Sequence, residues 1–186
     1  MATKNLNRLL FFSSLIFLID GLAFIFCIPF ALYYHESYSP FLLPGLVLLS
    51  FGLLFYIYTN QKVYQIKNRY HELVIFVYSW GLLILIGTIP YFISNTFPNF
   101  IDIIFETISG YTTTGTTTIN DIEGLPKSII IYRSITQWIG GIAAITTAVI
   151  ILPRLNLGGY KLFTSETFKQ DHSIKHITIT IVRFYS

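Results

Sequence analysis

Ser109-Gly110-Tyr111-Thr112-Thr113-Thr114-Gly115-Thr116-Thr117-Thr118 is a polar, threonine-rich stretch set between segments apolar enough to cross a bilayer. Lipid offers no partner to a free N–H or C=O. Irregular backbone is therefore tolerated at membrane depth only where protein buries it or where it lines a water-filled cavity. A loop of this composition in this position needs a reason, and ion coordination is one that its chemistry supplies.

Working outward, apolar runs fall at Leu9–Tyr34, Phe41–Thr59, Leu73–Phe92 and Ile129–Leu152. Each approaches the ~20 residues a helix needs to cross ~30 Å of hydrocarbon. The first runs past the ~7 to 15 residues of a signal-peptide core and lacks a small-residue cleavage site, so it reads as a retained helix. Between the third and fourth runs lies Asn99–Tyr111, opened by Pro98 and carrying Ile101, Ile103, Ile104, Phe105 and Ile108. At 1.5 Å per residue it covers roughly 18 Å, too little to span, so it is expected to enter the membrane and turn back.

Composition agrees: 53% of residues are hydrophobic and 11% charged, against about 25% charged in a soluble domain. Cys27 is the single cysteine, so there is no disulfide framework. No basic patch with interleaved aromatics supports nucleic-acid binding. No nucleophile–base pair, metal cluster or phosphate loop points to an enzyme or a cofactor, and the scattered His35, His71, His172 and His176 do not suggest a metal.

Basic residues cluster before the first run (Lys4, Arg8), between the second and third (Lys62, Lys67, Arg69) and after the fourth (Arg154, Lys161, Lys169, Lys175). Positive charge collects on the cytoplasmic side, so the N-terminus is expected there and the loop opens outward. Asp102, Asp121 and Glu123 then lie at the mouth. They either concentrate cations or form an ordinary solvated loop.

The short helix aims the negative end of its dipole toward the membrane centre, where it stabilises a cation. An extended chain after it lets the carbonyls of Thr113, Thr114, Gly115 and Thr116 replace an ion's hydration shell, as carbonyl rings do in potassium-channel filters. Gly115 supplies the positive φ such a backbone requires. Gly110, Thr112 and Thr117 flank these positions as support. Glu106 either draws cations in or buttresses the loop by accepting backbone or Arg133 hydrogen bonds. Arg133 and Lys127 are alternatively long side chains snorkelling to the interface. Asp20, inside the first run, must face protein, water or a partner, either on an ion path or in a structural contact. Thr136, Gly140, Ala143 and Thr147 share one helix face, suited to close packing or to bordering a cavity.

Span, re-entrant helix, Thr/Gly loop and second span, in this order, form the helix-pore-helix unit of cation channels. Phe105-Glu106, Ser109 to Thr117, Leu125-Pro126, Arg133, Gln137-Trp138-Ile139-Gly140-Gly141 and Ile151-Leu152-Pro153 together resemble the first pore repeat of the Trk/Ktr potassium-uptake proteins, the TrkH and KtrB type. The resemblance runs from about Leu9 to Tyr160. Ala143 departs from it, standing where the Gly-Gly-x-Gly pattern has glycine.

The resemblance implies a chain of four helix-pore-helix repeats around a pore, often with two additional N-terminal helices. It also implies K⁺ as the transported ion, a plasma-membrane location, frequent dimerisation and a cytoplasmic nucleotide-binding regulatory subunit. It matches Thr113, Thr114, Gly115 and Thr116 to the filter strand. The expected fold is all-α and transmembrane: two N-terminal helices over 1–70, a helix-pore-helix unit over 71–155, and a cytoplasmic connection with the start of a next repeat over 156–186. Ile174 to Tyr185 restarts an apolar run too short to span. One loop supplies a quarter of a four-fold filter. The remaining loops come from a longer chain or from further copies of this one; by itself the piece is alternatively an inactive membrane fragment, and Na⁺ is the competing cargo.

Overall fold

The computed structural model describes residues 2–59, 69–119 and 121–151. These fold into α1 (Ala2–Tyr33), α2 (Ser39–Tyr58), α3 (Arg69–Ser94), α4 (Phe100–Tyr111) and α5 (Lys127–Ile151), with no strand among the described residues. Four segments are long and apolar enough to cross a membrane: Leu6–Tyr33, Ser39–Tyr58, Leu73–Ser94 and Lys127–Val149. The expected spans are all present, and α1 and α5 extend beyond the apolar runs at their N-terminal ends. Helical hydrogen bonding does not stop where hydropathy does. The connection carrying Lys62 and Lys67, and the expected next repeat after residue 155, lie outside the described residues.

The breaks between helices have local causes. After α1, His35 takes φ 57°, its N–H bonds the Leu32 carbonyl at 3.2 Å, and the Glu36 N–H reaches Ala31 at 2.8 Å. This is a Schellman ending with histidine in the position glycine usually fills. Proline in the first turn of α2 accepts that start because no donor is needed there. At the end of α3, Asn95 adopts φ 49°, a conformation its short polar side chain tolerates better than most.

α1 and α2 form a hairpin closed through glycines. A Cβ on Gly21 would meet Leu49 at 2.9 Å, one on Gly45 would meet Ile25 at 3.0 Å, and one on Gly52 would meet Leu18 at 3.0 Å. Small residues substitute in membranes for the hydrophobic drive that lipid removes, by letting helices approach. The hairpin joins the rest through an aromatic cluster centred on Tyr132 of α5. Its ring lies 5.5 Å from Phe24 of α1, 5.9 Å from Phe41 of α2 and 5.2 Å from Tyr91 of α3. Its hydroxyl donates to the Gly87 carbonyl at 2.8 Å, so the phenol is satisfied within the core.

Outward, Leu22, Phe26, Leu43, Ile57, Val77 and Leu85 are exposed on the spanning helices, as a lipid-facing surface requires. α4 spans nothing: its twelve residues sit between α3 and α5 with Ile103, Thr107 and Tyr111 buried. It enters and turns back.

Candidate functional site

α4 is preceded by its N-cap Asn99, whose side chain donates to Asp102 at 3.1 Å, and ends at Tyr111. Three small-residue contacts seat its end. A Cβ on Gly110 would stand 2.5 Å from the Thr136 hydroxyl; one on Gly140 would overlap the Tyr111 backbone, and one on Gly87 the Tyr111 ring. On the expected face of α5, Thr136 and Gly140 are therefore close-packing positions, both buried, whereas Ala143 and Thr147 are only partly covered.

The chain then leaves the helix in a tight, sign-alternating backbone rather than the extended strand expected. Thr112 has φ −80°, Thr113 φ 58° and Gly115 φ 74°. The N–H groups of Thr113 and Thr114 turn back onto the Gly110 and Ser109 carbonyls at 3.0 and 3.1 Å, and that of Gly115 reaches the Ser109 carbonyl at 3.4 Å. Those contacts bend the loop. With its N–H groups facing the helix end, the carbonyls of Thr112, Thr113 and Thr114 have no hydrogen-bond partner among the described residues. Thr112 to Thr116 are exposed, so this part of the loop is not covered by the rest of the described residues.

The second half of the loop is held from behind. Glu106, fully buried on α4, accepts from the Thr117 hydroxyl and from the Thr118 N–H at 2.8 Å. Arg133 of α5 places Nε 3.3 Å from Glu106 Oε2. The N–H is not aligned for a hydrogen bond, so that attraction is coulombic. Arg133 Nη2 donates to the Gly115 and Thr116 carbonyls, each at 3.3 Å. Arg133 is thus a buried tie, not a snorkelling cation, while exposed Lys127 bonds the Glu123 carbonyl at 3.0 Å. The Ser109 hydroxyl donates to the Thr116 carbonyl at 2.5 Å. With donors from Ser109 and Arg133, both lone pairs of that carbonyl are engaged. Thr116 is therefore placed as an anchor, unlike Thr113 and Thr114.

Asp20 lies in the core, where Tyr111 donates to its Oδ1 at 2.9 Å. Between the loop and α5, Asp121 accepts from the Gly124 N–H at 3.1 Å, making a local turn. Sequence reading missed Glu36. From the α1–α2 connection it accepts the Lys127 N–H at 2.6 Å, the Ser128 N–H at 2.9 Å and the Ser128 hydroxyl at 2.6 Å, capping α5 from a different part of the chain. Partial burial works to raise its pKa, but hydrogen bonds from Ser128 and Lys127 and the Lys127 charge outweigh it, leaving the carboxyl below its ordinary value. No spacing signal links residues so far apart in sequence; the bare N-terminus of α5, lacking an acidic first turn, was the available hint.

Comparison with known proteins meets this geometry. The family model described as TrkH, cation transport protein, matches residues 40–185. The chain belongs to this family. The Trk system potassium uptake protein TrkG of Escherichia coli is 37% identical over 146 residues, 76% of this chain and 30% of its own. An uncharacterized cation transporter of Methanocaldococcus jannaschii is 35% identical over 140 residues, 75% of this chain and 29% of its own. The crystal structure of the potassium transporter TrkH from Vibrio parahaemolyticus superposes with a TM-score of 0.78 at 28% identity, covering all of this chain and 37% of that one. The chain thus spans about a third of the length of these TrkH-family relatives. It is a multi-pass membrane protein of a transporter family, not an enzyme, and helix is the only regular secondary structure among its described residues.

Proposed function

We propose that this chain supplies the first ion-filter unit of a potassium-uptake pore in the plasma membrane, with its N-terminus cytoplasmic and its loop open to the outside. Thr113, Thr114 and Gly115 offer carbonyl oxygens to a dehydrated K⁺. Thr116 contributes by holding the end of the strand, and Glu106, Gly110, Thr112, Thr117 and Arg133 hold the strand in place. The observation carrying this reading is the pair of unpartnered carbonyls of the exposed Thr113 and Thr114 on a loop whose back is tied to Glu106 and Arg133. Oxygen dipoles fixed before the ion arrives replace its hydration shell without reorganising. On this reading residues 1–70 are accessory helices, 71–155 the pore unit and 156–186 the connection to a next repeat. Its partners are membrane lipid and the other repeats, from the same longer chain or from further copies, with a cytoplasmic nucleotide-binding subunit as regulator.

The test is growth of a potassium-uptake-deficient cell at limiting K⁺ with this chain expressed. Rescue abolished by Gly115→Asp supports the filter; rescue indifferent to that change sinks it. The chain's coverage of about a third of its relatives favours a second outcome, membrane insertion without rescue, in which the unit is inactive until the other repeats join it. Competition of Na⁺ and Rb⁺ with K⁺ for uptake distinguishes a potassium from a sodium path.

A further inference from the structure

An acidic side chain buried in a spanning helix needs an explanation, because inserting it into hydrocarbon is costly. Asp20 of α1 is fully buried; its Oδ1 receives the Tyr111 hydroxyl at 2.9 Å and its Oδ2 has no hydrogen-bond partner among the described residues. Tyr111 is the last residue of α4, directly before the loop. It is fixed from three helices at once: its backbone lies against Gly140 of α5, its ring against Gly87 of α3, and its hydroxyl on Asp20 of α1. Thr113, two residues on, stands close enough to α5 that a Cβ on Gly141 would lie 3.8 Å from its methyl. The side chains of Glu106, Ser109 and Arg133 hold the far half of the loop, whereas the near half hangs on the last turn of α4 through the Ser109 and Gly110 carbonyls, and Tyr111 seats that turn. Asp20 also lies before the region that the family model matches, which begins at residue 40.

We propose that Asp20 is a positioning residue for the loop: acting through Tyr111, α1 sets where the first carbonyls stand, a proposal that rests on reading the loop as an ion filter. A carboxyl suits the task because its short side chain presents a fixed acceptor oxygen to the phenol deep in the core.

The test introduces Thr113→Cys and Gly141→Cys together into the full chain in membranes and follows oxidative closure of the pair by counting free thiols, with buried Cys27 as a constant background. A sulfur in place of the Thr113 methyl would start 3.8 Å from a Cβ on Gly141, so closure needs only a rotamer change. Into this parent go Tyr111→Phe, Asp20→Ala and Asp20→Asn. Tyr111→Phe and Asp20→Ala are each expected to close about tenfold more slowly, the change a lost bond of about 1.4 kcal/mol gives. Their combination is expected to be no slower than either, and Asp20→Asn, which keeps an acceptor, to close near the parent rate. Closure of Tyr111→Phe at the parent rate overturns the proposal. That variant keeps the packed ring, so it decides the matter even if Asp20→Ala fails to accumulate. In the chain without added cysteines, Tyr111→Phe is expected to lower the preference for Rb⁺ over Na⁺ in uptake. Slow closure with an unchanged preference would reduce Asp20 to a structural tether and overturn its filter role. A parent chain that takes up no Rb⁺ counts against the transport reading alone, and the closure rates still decide the positioning.

Discussion

Arg133 ties the far half of the loop to α4 through one guanidinium: Nε stands 3.3 Å from Glu106 Oε2, and Nη2 stands 3.3 Å from the carbonyls of both Gly115 and Thr116. The Arg133 side chain is 10% exposed and that of Glu106 0%, so the pair is shielded from solvent screening. Removing one member of such a pair leaves an uncompensated charge, a loss of about 3–5 kcal/mol. Glu106→Gln is therefore expected to lower the unfolding midpoint of the detergent-solubilised chain substantially. Adding Arg133→Met should recover part of that loss, because the second change removes the stranded charge. Equal losses for the single and double variants would mean that the loop carbonyls, and not Glu106, are what Arg133 chiefly satisfies. Arg133→Lys should retain the ion pair yet free the carbonyls, since an ammonium lacks the planar fork that reaches all three oxygens.

Two glycines test how tightly α4 is seated. A methyl at Gly140 would overlap the Tyr111 carbonyl, whereas Gly81 has nothing within 4 Å of where its Cβ would be. Backbone cannot swing aside as a side chain can. Gly140→Ala is expected to destabilise by about 1–3 kcal/mol through overpacking, while Gly81→Ala should stabilise by up to about 1 kcal/mol through helix propensity. Both are read from chemical unfolding in micelles. Gly140→Ala unfolding like the parent would show that α4 and α5 part easily.

The spans and the short re-entrant helix were legible because hydrophobic length against bilayer thickness is a one-dimensional property. Glu106 and Arg133 were legible as loop supports because they flank the loop in sequence and carry opposite charge. The positive φ at Thr113 was not: a β-branched residue is a poor candidate for that conformation, and it is imposed by N–H groups folding back onto Ser109 and Gly110. Nor was the engagement of the Thr116 carbonyl, which depends on where Ser109 and Arg133 end up in space. Asp20 could be recognised as needing a partner, but Tyr111 could not be named, since the two meet only after α1 packs beside α3 and α5.

Glu36 gives the junction of the α1–α2 connection with α5 a pH dependence. Its carboxyl titrates below the ordinary value of 4.5, so its folded pKa is depressed. The sign follows: the cap contributes fully above the unfolded value and is lost as pH falls through the folded one. Proteolysis between residues 121 and 126 should therefore accelerate below about pH 4.5, and Glu36→Gln should show the faster cleavage already at neutral pH. The amide still accepts, but it lacks the charge that the N-terminus of α5 attracts. An acid-induced acceleration that persists unchanged in Glu36→Gln would show that the Glu36 cap is not its source.

Thr113 and Gly115 share positive φ but should respond oppositely to substitution. Thr113 at 58° holds a β-branched side chain in a region that costs such residues about 1–3 kcal/mol. Thr113→Gly removes that strain, offset by about 0.4–1 kcal/mol of added unfolded-chain entropy, so a small net gain in stability is expected. Gly115 at 74° has room for a methyl, the nearest group being Gln137 Nε2 at 3.9 Å. Gly115→Ala is then opposed by backbone conformation alone, a loss of about 1–2 kcal/mol. Unfolding of both variants in the same micelles decides it. If Thr113→Gly proves the more damaging, the Thr113 side chain contributes more to the fold than its strain costs, and the loop is held at its near end by that side chain as well as by the bond from Tyr111 to Asp20.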